Sequence, residues 1–323
     1  MPKSFSQRSR RLTRWLEANL TMIDIFDPRL RPVVQGASLE RLCTGAVWSE
    51  GPVWLREDDS LLWSDIPNNR ILRWSEAEGM TVWRHAVEFT NGHTRDLNGD
   101  LLHCSHGLRA IARTPLRIGQ ISSATPDTLV VDRYQGKRLN SPNDIVVKRD
   151  GTIWFTDPPY GILSDREGYK AEPEQAANHV FCFDPATAAL SAASDWVREP
   201  NGLAFSPDES LLYVSDTSAA LDENGNHHIV KFDVTANNLL ANPRIFAVVA
   251  PGLPDGIRVD SQGWVYTSSL DSVQIYHPDG VLLGKMRVPE KVGNLCFGGP
   301  KGNQLFIAAS TSLYRINLQT YGI

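Results

Sequence analysis

Six polar residues recur along the chain 39 to 58 residues apart: Glu50, Asn91, Asn143, Asn201, Asp255 and Asn294. Each carries a carboxylate or carboxamide oxygen. One such residue at the start of a strand is an ordinary turn or capping residue, but six in register are not explained that way. Oxygen donors drawn together from separate parts of a chain are what a hard divalent cation takes. Glu50 and Asp255 supply two negative charges and Asn143 and Asn201 add neutral oxygens, leaving positions open for water or substrate. Such ligation favours calcium, with zinc, magnesium or manganese as the alternatives.

A second layer stands 14 or 15 residues beyond the first: Asp65, His106, Asp157, Asp216, Ser269 and Ala309. Four of these ionise, so they could orient ligands or move protons; Asp157 and Asp216 read equally well as structural caps of strand ends. His106, in Cys104-Ser-His-Gly107, is the one histidine this register brings to the site, as a substrate contact or acid/base group. His227 and His228 fall in an inserted loop. Asp222-Glu-Asn-Gly-Asn226 starts like a calcium-binding EF-hand loop, but His227 takes the place of the required glycine and no helices flank it. The chain has no G-x-S-x-G, H-E-x-x-H, G-x-x-x-x-G-K-[ST] or G-x-G-x-x-G motif, which weighs against serine hydrolase, zincin and nucleotide-binding chemistry.

The elements that must position these residues repeat with them. The clearest copy runs from Asn201-Gly-Leu-Ala-Phe through Leu211-Leu-Tyr-Val and His228-Ile-Val-Lys-Phe to Arg244-Ile-Phe-Ala-Val, four short strand-like runs separated by turn residues. Six such copies begin at the six residues above, each of the length of a four-stranded propeller blade. The predicted fold is therefore an all-β, six-bladed β-propeller over residues 38–323, its first strands lining a central channel. The sixth copy runs out after three strands, and Ser38–Cys43 supplies the missing one, closing the ring and removing an open edge. Arg149-Asp-Gly151, Ser261-Gln-Gly263 and Pro278-Asp-Gly280 read as tight hairpin turns. Insertions at 161–178 and 218–227 fall on one face.

Residues 1–37 read as a helical lead-in, with Phe5, Leu12, Trp15, Leu16 and Leu20 on one face. It would pack on the main body and is where a contact would form if the protein is a homodimer rather than a monomer. Of the 323 residues, 41% are hydrophobic and 21% charged, the balance of a globular chain. The net charge of −5 argues against nucleic acid as a partner. No apolar run is long enough for a membrane span, and the N-terminus lacks a secretory layout, so a cytoplasmic location and a small-molecule partner are expected. Cys43, Cys104, Cys182 and Cys296 are far apart and read as reduced core residues.

Taken together, Trp48-Ser-Glu-Gly-Pro-Val-Trp54, Ser141-Pro-Asn-Asp-Ile145, Pro200-Asn-Gly-Leu203, Ser206-Pro-Asp208 and Pro254-Asp-Gly256 make the sequence resemble the SMP-30/gluconolactonase/luciferin-regenerating-enzyme family over roughly residues 38–320. The resemblance implies one catalytic divalent metal, usually calcium, at Glu50, Asn201 and Asp255. Asn143 matches a position that in some members binds the metal and in others contacts substrate or water. Asn91-Gly-His and His106-Gly-Leu-Arg109 look most like the bacterial gluconolactonase branch, which implies hydrolysis of a sugar lactone such as D-glucono-1,5-lactone. Asp255 would activate the attacking water, with direct nucleophilic attack by Asp255 as the second variant. A phosphotriesterase of the diisopropyl-fluorophosphatase type would use the same four ligands, and a non-catalytic binding propeller is the remaining alternative.

Overall fold

Short runs rich in β-branched and aromatic residues, broken by Asp-Gly and Ser-Pro-Asp turns, pair with their sequence neighbours in a computed structural model that describes residues 22–116 and 122–323. Blade 1 is Ser49–Leu55, Ser60–Asp65, Arg70–Ser75 and Gly79–His85, joined in that order by antiparallel ladders. The same meander recurs in five further sheets, giving a ring of six four-stranded blades. Their innermost strands are Thr90–Arg95, Ile145–Val147, Pro200–Phe205, Ile257–Val259 and Val292–Gly298. All of Ser49–Leu55 is buried, as expected of a strand flanked by neighbouring blades. Gly151 and Gly280 sit at φ 89° and 92°, the left-handed backbone their turns need.

The ring closes as the sequence predicts. Leu39–Thr44 pairs antiparallel with Ser312–Asn317 and is the outer strand of blade 6. Glu40 faces Arg315 across this seam, where their side chains form an ion pair at 2.7 Å.

Part of the predicted lead-in departs from helix. Ile23–Ile25 forms a fifth strand on the outside of blade 5, paired with Leu282–Arg287, and Pro28–Leu30 makes a 3-10 turn. The reason is burial: Leu30, Val33 and Val34 sink into the apolar layer between blades 5 and 6. The predicted helix face Phe5–Leu20 lies outside the described residues.

The core consists of layers between blades rather than one central mass. Trp54 stacks on Phe306 at 5.2 Å between blades 1 and 6. Trp154 meets Phe205 edge-on at 5.5 Å between blades 3 and 4. None of the four cysteines is paired. Among the described residues, no helix is long and apolar enough to cross a membrane.

Candidate active site

Each blade enters its innermost strand at the same end of the channel, and this brings the six register residues together. Backbone bonds stitch neighbouring blades there: Gly92 N donates to Asn143 O at 2.9 Å, Gly202 N to Asp255 O at 3.1 Å and Gly256 N to Gly293 O at 2.9 Å. Hydroxyls one residue before the second-layer acids complete the seam. Ser64 Oγ donates to Asn91 O at 2.7 Å, Thr156 Oγ1 to Asn201 O at 2.6 Å and Ser215 Oγ to Asp255 O at 2.8 Å. The approach is so close that a Cβ on Gly202 would overlap the Asp255 carbonyl oxygen. These hydroxyls were readable in the sequence, since Ser-Asp, Thr-Asp and Ser-Asp end the second strands of blades 1, 3 and 4.

With the backbone carbonyls satisfied, the side-chain oxygens remain. Glu50 is 3% exposed; its Oε2 accepts from Gly51 N at 3.0 Å and its Oε1 has no partner. Asn201 Nδ2 donates to Thr217 Oγ1 at 3.4 Å, while its Oδ1 is buried and unpartnered. Asn143 is buried and Asp255 half-buried. Burial pushes the Glu50 carboxyl well above its usual range, and the Asp255 charge adds to the effect. Asp255 is itself pushed up to about 7 by burial, with Lys291 opposing and Asp144 and Glu167 reinforcing the rise. Two enclosed acids and orphaned amide oxygens are a donor set short of positive charge, and a hard divalent cation fits it. Half of this set, Asn143 and Asn201, is carboxamide, and among the described residues no three His, Cys, Asp or Glu side chains gather as a metal cluster.

Asp144 was not singled out by sequence reasoning. It is fully buried, its Oδ1 accepts from Ile145 N at 3.0 Å, and its Oδ2 meets Arg258 at 3.3 Å. The ion pair spans from blade 3 to blade 5. Lys291 and Glu167 also escaped notice. Lys291 Nζ lies 4.8 Å from the centre of the Trp48 ring, and Glu167 comes from the 161–178 insertion.

The second layer divides. Asp65 accepts from Val47 N, Asn68 Nδ2 and Arg70 Nε, all at 2.8 Å. Asp216 accepts from Ser218 N at 3.0 Å and Asn226 Nδ2 at 2.9 Å, and more loosely from the amides of Arg198 and Glu199. Both are occupied in holding the segments that lead into the first strands. Asp157 Oδ2 accepts from Asn140 N at 2.8 Å, its Oδ1 is unpartnered, and burial raises it to about 7. Ser269 Oγ donates to Ser272 O at 2.7 Å, and Ala309 carries no polar group. Asn294 Oδ1 accepts from Leu295 N at 2.8 Å.

His106 is brought beside the ring, but both ring nitrogens are engaged. Nδ1 lies 2.8 Å from Glu167 O and Nε2 lies 3.3 Å from Asn91 Nδ2. Burial lowers its pKa to about 4, so the ring is neutral near pH 7. A neutral imidazole with both nitrogens bonded is arranged to position a neighbour rather than to carry protons.

The chain has counterparts in sequence and fold. A gluconolactonase of Zymomonas mobilis is 35% identical over 92% of this chain and 86% of its own length. The structure of XC5397 from Xanthomonas campestris, described as a gluconolactonase, is 40% identical and superposes with a TM-score of 0.83 over 92% of this chain and 94% of that one. The calcium-binding protein regucalcin of Agrobacterium tumefaciens, 18% identical with a TM-score of 0.69, covers 88% of this chain and 94% of its own and shares the fold alone. The SMP-30/gluconolactonase/LRE-like family model matches residues 48–311, from Trp48, just before the first strand of blade 1, to the turn before the strand Ser312–Asn317. With its six blades and its ring of acid and amide side chains, the chain belongs to the SMP-30/gluconolactonase/LRE-like family.

Proposed function

We infer that the protein is a metal-dependent lactonase that opens a sugar lactone such as D-glucono-1,5-lactone to the aldonic acid. The observation that carries the reading is the set Glu50, Asn143, Asn201 and Asp255, offered by four blades at one end of the channel, with Glu50 Oε1 and Asn201 Oδ1 buried and unpartnered. The gluconolactonases of Zymomonas mobilis and Xanthomonas campestris support the substrate class.

These four residues would hold the cation, and the all-oxygen set favours calcium. When bound, it supplies Lewis acidity at the lactone carbonyl and charge compensation for the two acids. The protein's own groups do the rest. Asp255 takes a proton from the attacking water as the new C–O bond forms, and returns it to the ring oxygen as the ester C–O bond breaks. The Asp144–Arg258 pair and the Gly202 seam keep the donors in place. Lys291 over Trp48 gives the channel mouth a cation and an aromatic face, suited to a polyhydroxylated ring.

The test is acid release from D-glucono-1,5-lactone, corrected for spontaneous opening, by chelated protein and again after calcium is restored. Turnover that vanishes on chelation and returns with calcium is expected. A full rate in chelator would remove the cation from the reaction. No turnover by protein with bound metal would remove this lactone as substrate.

A further inference from the structure

Two members of the ring, Asn91 and Asn294, lie outside the set assigned to the cation, and their oxygens differ. Asn294 Oδ1 is satisfied by Leu295 N at 2.8 Å. Asn91 Oδ1 is buried without a partner, although Asn91 is only 3% exposed. The Asn91 carboxamide is oriented through its nitrogen, because Nδ2 lies 3.3 Å from His106 Nε2.

His106 permits only that orientation. Its Nδ1 is 2.8 Å from the Glu167 carbonyl oxygen, which can only accept, so Nδ1 carries the proton. The neutral ring then presents a lone pair at Nε2, and Asn91 must offer it an N–H. The carboxamide oxygen is thereby turned away from the histidine. The imidazole is held in turn by the 161–178 insertion. A Cβ on Gly161 would come within 2.5 Å of His106 Cγ, so the loop backbone lies directly against the ring.

We propose that Asn91 Oδ1 is a further oxygen ligand of the cation, and that His106 is the positioning residue that presents it. Blade 2 then fills the gap between Glu50 of blade 1 and Asn143 of blade 3, and the inserted loop becomes part of the cation site by way of one imidazole. Neutral oxygens complete a calcium shell without adding repulsion between the acids. The inference rests on the cation reading given above.

The experiment is calorimetric titration of calcium into the full-length chelated protein and into Asn91→Ala, Asn91→Asp, His106→Phe and the Asn91→Ala/His106→Phe double variant, with near-ultraviolet circular dichroism reporting folding. Loss of an outer partner of a metal ligand costs about 10- to 100-fold in affinity. His106→Phe should weaken calcium by about that factor and Asn91→Ala, which removes the ligand oxygen itself, by at least as much, Asn91→Asp should retain binding, and the double variant should bind no more weakly than Asn91→Ala alone. Calcium affinity unchanged in Asn91→Ala, or losses that add in the double variant, would overturn the proposal. Wild-type protein that binds no calcium would instead overturn the cation reading and this inference with it. If Asn91→Ala does not fold, His106→Phe decides: unchanged affinity in that variant overturns the positioning role.

Discussion

Enclosing Glu50 and Asp255 in one channel costs free energy, because each loses water and faces a like charge. The sign follows directly. Glu50→Gln should melt at a higher temperature than wild type when both are chelated, and should lose the rise in melting temperature that calcium gives wild type. Lactone turnover should fall by about a hundredfold or more, the scale of removing one electrostatic stabiliser. Scanning fluorimetry with and without calcium reads the first two outcomes; a normal calcium shift in Glu50→Gln would exclude Glu50 from the site. Asp157 differs because one carboxylate oxygen, Oδ2, accepts from the Asn140 backbone N–H while Oδ1 is buried without a partner. Its carboxyl titrates at about 7 in the folded chain against 3.8 when exposed, so the folded state binds the extra proton between these values. Its contribution is present at acid pH and is lost as pH rises through 7, amounting to on the order of 4 kcal/mol. Urea unfolding at pH 5 and pH 8 should show Asp157→Asn losing less stability over that interval than wild type.

At the scale of elements, the recurring unit is a second strand ending in Ser-Asp or Thr-Asp. The hydroxyl ties the next blade's carbonyl and the acid holds the backbone entering its own blade, as with Ser215 and Asp216. This unit depends on the close approach of adjacent first strands. Gly202→Ala should therefore destabilise the protein by about 2–4 kcal/mol, since Cβ meets backbone that cannot swing aside. The midpoint of urea unfolding measures it, and a loss below about 0.5 kcal/mol, ordinary for a surface change, would contradict the packing. The first-strand register was legible in the sequence because each copy opens on an acid or amide at blade spacing. The dual readings of Asp157 and Asp216 were not resolvable there, because a capping acid and a functional one have the same side chain and differ only in what surrounds it.

For the whole molecule, closure is the decisive contact. Leu39–Thr44 supplies the outer strand of blade 6, whereas Leu30, Val33 and Val34 only thicken the layer between blades 5 and 6. A chain starting at residue 38 should remain a folded ring and lose several kcal/mol, at about 2 kcal/mol for each buried aliphatic side chain. A chain starting at residue 47 should expose the Ser312–Asn317 edge and aggregate. Size-exclusion chromatography and thermal melting distinguish them; equal melting of the two would show that closure contributes little.

What the sequence determined by itself was whatever repeats: six copies, four strands in each, a strand borrowed from the N-terminal side, and an oxygen-bearing residue at each blade entrance. Repetition is a local pattern of hydrophobicity and turn residues, so it needs no knowledge of which blades meet. The tertiary structure alone decided how each polar group is used. His106 reads in sequence as an acid/base candidate, yet the 161–178 insertion occupies its Nδ1 and Asn91 its Nε2. Asp144 and Arg258 stand 114 residues apart and pair only because the ring faces blade 3 toward blade 5. Ile23–Ile25 becomes a strand because blade 5 offers an unpaired edge beside an apolar layer. Hydrogen bonds and ion pairs act over a few ångströms in space, and a closed ring brings together residues from every part of the chain.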